Sequence, residues 1–261
     1  MQNLLEKLST YELGLKKRMR INGQTNDYQS YRIPIQFLFY NDLNGRIATY
    51  IEEYNGGEAN EKKIVSLRET DINKYNDLIA DYIKKSSNDN EKSFKETKED
   101  ILKKGQQNPG VILSDGRIID GNRRFTAIRE LYKETGDSQF AYFEAVCLPA
   151  PSETDTNGWK SIKTLELNLQ FNVNEKRDYD RIDFLVSFYN DTFDPEKRMF
   201  NKKEYCYASG MSSSEYDKNV GIIKIMLDCF VRESEFSTGK VLAKMPFFKM
   251  TSSGFSLVIR L

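Results

Sequence analysis

GQQNPGVILSDGRIIDGNRRFTAIREL, residues 105–131, decides how the rest of the chain is read. Val111-Ile112-Leu113 and Ile118-Ile119 are two short apolar runs on either side of Ser114-Asp115-Gly116-Arg117. Asp-Gly is the dipeptide best suited to the positive φ angles of a two-residue type I′ turn, so the segment predicts a β-hairpin. A helical pattern opens at once after the second strand, with Phe125, Ile128 and Tyr132 on one stripe and Ala127 and Leu131 beside it. Asp120 or Asn122 can cap that helix, and Gly121 permits a close or left-handed backbone at its entry. Arg123 and Arg124 then fall in the first helical turn, where the helix dipole disfavours cations. Two readings stand side by side. In one, the pair and the backbone N–H groups of the turn form a phosphate site. In the other, two solvated arginines sit at a helix start beside a carboxylate.

Upstream, Leu4, Leu5, Leu8, Tyr11 and Leu15 lie near 3.6-residue spacing, which predicts an amphipathic N-terminal helix over residues 1–20 within a segment 1–30. Its basic end, Lys16-Lys17-Arg18-Met19-Arg20, either complements the negative end of the helix or touches phosphate. Residues 33–40 read as a strand, and Asn41-Asp42-Leu43-Asn44-Gly45-Arg46 as a turn-rich loop. Residues 52–104 are long and charged. Ile72, Tyr75, Leu78, Ile79 and Ile83 make one helical stripe there, and Phe94, Ile101 and Leu102 belong to another, ending at Gly105 as a helix C′ residue.

Downstream, residues 139–148 form a strand candidate rich in aromatic and β-branched residues, and residues 161–171 a helix. A helix over 179–190 follows. Helices from about Lys202 and Ser213, joined at Ser209-Gly210-Met211-Ser212, give the outline of a helix-turn-helix or of an ordinary helical pair. Acidic Glu215 and Asp217 at the start of the second helix are unfavourable for phosphate. Lys202, Lys203, Lys218, Asn219 and Lys224 are the DNA-contacting candidates. Ser237-Thr238-Gly239 reads as a turn, and residues 231–261 as the start of a further region cut short by the chain's end.

DGNRRFTAIREL resembles the second conserved box of the ParB/sulfiredoxin-like superfamily, with Gly121, Arg123, Arg124 and Ala127 at the matching positions. Ile33-Pro34-Ile35 followed by Asn41, Asn44 and Arg46 resembles the first box. Asn168-Leu169-Gln170 resembles the third, and the helical pair stands where the family has its helix-turn-helix. The resemblance implies an α+β fold: a ParB/Srx-like domain over 31–160 with a small mixed sheet and an inserted helical segment at about 52–104, then an all-helical, helix-turn-helix-like domain over 161–230. It implies a DNA-associated protein of homodimeric, clamp-like action. CTP or another nucleotide with Mg would be held by Gly121, Asn122, Arg123, Arg124, Arg46 and Asn168, the last touching the nucleotide-bound metal. Leu167 and Asn122 stand where the family carries acidic residues, so hydrolysis is expected to be weak or absent. A ParB-fold nuclease or phosphotransferase of a mobile element or defence system, with Asp120 as its catalytic carboxylate, is the enzymatic alternative. A catalytically silent interaction module is the third reading.

Composition sets the outer bounds. Lys+Arg and Asp+Glu are both 39, so nucleic-acid binding has to come from a local patch rather than a bulk field. There is no histidine, and Cys147, Cys206 and Cys229 have no C-x-x-C spacing, which points away from zinc and histidine chemistry. No run of about 18 apolar residues suggests a membrane span. The expectation is a cytoplasmic protein with its cysteines as buried small hydrophobes.

Overall fold

The computed structural model describes residues 4–21, 23–56, 63–86, 90–172, 180–236, 249–251 and 254–258. The fold is α+β, and the chain divides into two units, residues 1–41 with 72–178 and residues 42–71 with 179–261. The first unit carries a mixed six-stranded sheet: β1 (Glu12–Ile21), β2 (Gln24–Pro34), β3 (Phe39–Tyr40), β4 (Gly110–Leu113), β5 (Arg117–Asp120) and β6 (Tyr142–Leu148), in the order β1-β2-β6-β4-β5-β3.

The expected hairpin is β4–β5, antiparallel with Ile112 opposite Ile118. Its turn differs from the type I′ expectation. Gly116 N–H donates to Leu113 O at 2.9 Å, Arg117 N–H donates to Asp115 Oδ1 at 2.9 Å, and Gly116 holds φ +95°. This is a three-residue loop whose last residue is left-handed. Glycine is required there twice over, since a Cβ would lie 2.2 Å from Phe37 O.

The N-terminal helix is corrected. Leu4–Tyr11 forms a 3-10 helix, and Glu12–Ile21 is the edge strand β1, paired with β2 through a turn at Gly23. Gly14 at φ +75° is incompatible with a continuing helix. From Lys17 onward the letters alternate, with Met19 buried and Arg18 and Arg20 exposed, and a sheet beneath makes that period the favourable one.

Each face of the sheet has its own cover. Val111, Leu113, Ile119, Val146 and Leu148 pack with Met19 against Leu165 of α6 (Thr156–Asn172). On the other face lies α5 (Asn122–Thr135), whose Phe125 meets Phe143 at 5.5 Å and Tyr40 at 5.1 Å between ring centroids. The inserted segment is helical as expected: α1 (Ala48–Gly56), α2 (Ile64–Thr70), α3 (Ile72–Lys85) and α4 (Asn90–Lys104). It is shared between the units, however, and only α3 and α4 belong to the sheet unit. Lys84 and Lys98 tie them to Glu130 of α5 at 3.1 and 3.2 Å.

The expected division at residue 160 is therefore replaced. α6 belongs to the sheet unit, while the loop from Asp42, α1 and α2 join α7 (Arg181–Thr192), α8 (Lys202–Ser209) and α9 (Ser213–Phe236) in the second unit. The cause is packing over long sequence distance, with Asn190 and Lys197 both bonded to Glu52. Aromatic rings fill the centre of α7, α8 and α9. Phe188 is fully buried, 5.0 Å from Tyr205 and 4.9 Å from Tyr216. Gly210, at φ +69°, closes α8 and makes the expected turn. β7 (Lys249–Thr251) and β8 (Gly254–Val258) form a separate antiparallel pair, and the turn expected at 237–239 lies outside the described residues.

Candidate anion-binding site

β3 and β5 run parallel, Phe39 beside Arg117 and Tyr40 beside Ile118. Their carboxyl ends therefore emerge together, and Asn41 follows one while Gly121 and α5 follow the other. Ligands of open sheets sit outside the carboxyl ends of such strands.

Gly121 is the N-cap of α5 at φ +94°, and no side chain caps the helix. The expected caps are thus both absent from that role. Asp120 instead accepts from Lys17 Nζ at 2.9 Å and Arg124 Nη2 at 3.2 Å. Lys17 also donates to Pro109 O at 2.6 Å, and Arg124 Nη1 to Asn108 O at 2.7 Å. One carboxylate with two cations leaves the junction positive. It also shows that Arg124 is a structural clamp between the approach to β4 and the start of α5. Gly121 is tight against this clamp, since a Cβ would lie 3.0 Å from both Arg124 Nη2 and Phe143 Cζ.

Arg123 points elsewhere, its Nη1 donating to Ser93 Oγ of α4 at 2.9 Å. Asn122, the first residue of α5, is 9% exposed, and its Oδ1 has no hydrogen-bond partner among the described residues. A buried acceptor without a donor costs about 1–3 kcal/mol, so the amide oxygen is an energetic liability at this helix start. The opposed preferences of that turn are thus visible together: an uncapped helix N-terminus, a guanidinium and an orphan amide oxygen.

The remaining expected residues are dispersed. Arg46 and Asn44 belong to the second unit, where Asn44 Oδ1 accepts from Arg46 N–H at 3.1 Å and caps a 3-10 turn at Gly45–Ile47. Asn168 is half-buried on α6 with its Nδ2 donating to Thr164 O at 3.0 Å. Leu167 is buried apolar surface. A carboxylate, Glu166, lies one position earlier. It is 2% exposed, lies 3.5 Å from the buried Lys163 ammonium, and accepts from Gln170 Nε2 at 3.0 Å. Among the described residues no three Cys, Asp or Glu side chains gather as metal ligands.

The DNA candidates separate in the same way. Lys203, Lys218 and Lys224 are exposed. Lys202 is engaged by both carboxylate oxygens of Asp217 at 2.7 and 2.8 Å. Asn219 is 1% exposed, accepts from Arg181 Nη2 at 2.6 Å, and donates to Met211 Sδ. These bonds tie α7, the turn and α9 together. Tyr216, Asn219 and Ile223 share one stripe at i, i+3 and i+7, so its burial was a periodicity signal.

Both described cysteines are held toward the thiol form. Burial, with the Asp115 carboxylate behind it, pushes the Cys147 thiol up to about 12, and burial also raises that of Cys206. No helix among the described residues is long and apolar enough to cross a membrane. No protein-family model, curated protein or solved structure matches the chain.

Proposed function

We propose that the protein is a DNA-associated, ParB-like protein whose sheet unit binds a nucleotide or phosphate at the start of α5. The observation that carries the reading is the buried, unpartnered Asn122 Oδ1 beside Arg123 on an uncapped helix N-terminus. Phosphate alone would use the cation and the backbone donors. A nucleotide also supplies hydroxyl and amino donors for the amide oxygen. The order of parts (Ile33-Pro34 in β2, the β4–β5 hairpin, the arginine-bearing α5, then β6 and α6) supports the ParB-like assignment and CTP with Mg as the first ligand to test. The enzymatic alternative loses ground, because its carboxylate, Asp120, is already taken by Lys17 and Arg124.

A thermal-shift panel of CTP, ATP, GTP and UTP, with and without Mg, is the test. A ligand at 100 times its Kd stabilises the native state by about 2.7 kcal/mol. One triphosphate is expected to raise the melting temperature of the wild type and to leave that of Arg123→Ala unchanged. Arg124→Ala is the control: it lowers the melting temperature without ligand, because Asn108 and Asp120 lose their clamp. No shift with any triphosphate, or a full shift in Arg123→Ala, overturns the reading.

Hydrolysis of the bound nucleotide is expected to be slower than about 1 s⁻¹, the lower end of ordinary enzyme turnover. Asn122 is no general base, and Glu166 is buried against Lys163. Faster phosphate release in a steady-state assay would place a base that these residues do not supply.

A further inference from the structure

β2 leaves β6 below Ser30, so Lys16–Ile21 and Gln24–Gln29 form a two-stranded ribbon paired only to itself. Its inner face is fixed to the core. Met19 packs with Val111, Ile119 and Leu148, Ile21 and Tyr28 lie against the same cluster, and Lys17 reaches Pro109 and Asp120. The outer face is built from three cross-strand pairs, Lys16 with Gln29, Arg18 with Asp27 and Arg20 with Thr25.

That face has a definite chemistry. Lys16, Arg18 and Arg20 are all exposed. Lys16 and Arg18 make no hydrogen bond or ion pair among the described residues, even though Asp27 stands opposite Arg18, and Arg20 Nε meets only Gly23 O at 3.3 Å. Several other cations of the same unit are taken up by carboxylates, as Lys98 is by Glu130 and Glu134, and Arg129 and Lys133 are by Asp77. Alternate residues of a strand stand about 6.6 Å apart, so the three cations form a straight row with a spacing close to that of successive phosphates along a nucleic-acid strand. The other strand contributes Thr25, Asp27 and Gln29, which are hydrogen-bonding residues. None of the six positions is apolar or aromatic. A protein partner needs a desolvated apolar centre, which this face lacks. The major groove of duplex DNA, by contrast, admits a two-stranded β-ribbon.

We propose that the outer face of the β1–β2 ribbon is a duplex-DNA interface, with Lys16, Arg18 and Arg20 on the phosphates and the ribbon edge in the major groove. This deepens the DNA-association half of the function proposed above and rests on it. It is independent of the nucleotide half. It also transfers the main DNA contact from the helical pair, where Asn219 is buried and Lys202 is paired, to the edge of the sheet.

The test is fluorescence anisotropy of a short labelled duplex with the full chain across a salt series. The variants are K16Q/R18Q/R20Q on the ribbon, K203Q/K218Q/K224Q on the helical pair, and R123A at the proposed nucleotide site. The six glutamine positions are exposed, so circular dichroism is expected to show unchanged folding; R18Q alone is carried as the milder variant. The ribbon triple variant is expected to weaken duplex binding at least tenfold at low salt and to reduce the slope of log K against log salt by about 2–3, as loss of two or three phosphate contacts requires. The helical and R123A variants keep the wild-type slope. Loss confined to the helical variant leaves the DNA-association reading standing and overturns the ribbon. No duplex binding by the folded wild type overturns both, while the R123A thermal shift still decides the nucleotide site separately. Tighter binding to anionic phosphatidylserine vesicles than to the duplex also overturns the proposal. So does unchanged duplex binding by the ribbon variant accompanied by self-association, because the cations would then serve to guard an edge strand.

Discussion

Replacing Phe188 with alanine is expected to destabilise the second unit by about 3–5 kcal/mol, the range for deleting a fully buried aromatic ring. Phe188 is 0% exposed and is the ring on which α7, α8 and α9 converge. Tyr205 and Tyr216 meet it edge-on, at 87° and 68°, and Phe184 stacks on it at 6.0 Å. These neighbours come from three helices whose backbones are already fixed by caps. Asp180 accepts from Ile182 and Asp183 N–H, and Asn201 and Glu204 form a reciprocal capping box. The cavity therefore cannot close by a simple side-chain shift. Urea unfolding followed by tyrosine fluorescence and circular dichroism measures the loss, and Phe188→Leu is expected to recover more than half of it. A loss below about 1 kcal/mol in the alanine variant would mean that the three helices do not share this core.

Such a core was only partly legible in the sequence. The helices at 181–192, 202–209 and 213–236 announce themselves through periodicity, caps and Gly210, all of which act over a few residues. Their partners do not. Asp42–Asp71 joins them from far upstream, and no local pattern in that segment says which distant helix it will meet. The same limit explains the start of the chain. Leu4, Leu5, Leu8, Tyr11 and Leu15 fit a helix, while Lys17, Met19 and Ile21 fit a strand, and both patterns are present in one stretch of letters. Gly14 and the free edge of β2 decide between them, and only the first is visible in sequence. At the candidate site, local geometry was legible: a hairpin, a left-handed Gly121, then α5. The division of labour between the two arginines was not. It depends on Asn108, Lys17 and Ser93, which approach from three other segments.

Asp183 is expected to make the stability of the protein fall as pH rises from about 4 to about 7. The side chain is 3% exposed in the first turn of α7. It accepts from the N–H of Thr49 at 3.1 Å and from the Thr49 hydroxyl. Burial is the dominant influence and raises its pKa from 3.8 to about 7. The two Thr49 bonds oppose that rise, and the neighbouring Asp180 carboxylate adds to it. Below pH 3.8 the carboxyl is protonated in both the folded and unfolded chains, and its contribution is complete. Between 3.8 and about 7 the unfolded chain releases the proton while the folded chain retains it. The folded state then binds more protons, and stability declines with pH by linkage. Above about 7 both forms are ionised and the curve is flat. A shift of about 3 units corresponds to about 4 kcal/mol over that window, an order-of-magnitude figure. Asp183→Asn keeps an oxygen for the Thr49 donors and has nothing to titrate. The difference between wild-type and variant unfolding free energies, measured from pH 4 to pH 8, isolates this one group from every other carboxylate. The variant is expected to match the wild type within about 1 kcal/mol at pH 4 and to exceed it by several kcal/mol at pH 8. A difference that stays constant with pH would mean that Asp183 ionises as freely in the fold as in water, and that α7 meets Thr49 through a charged carboxylate.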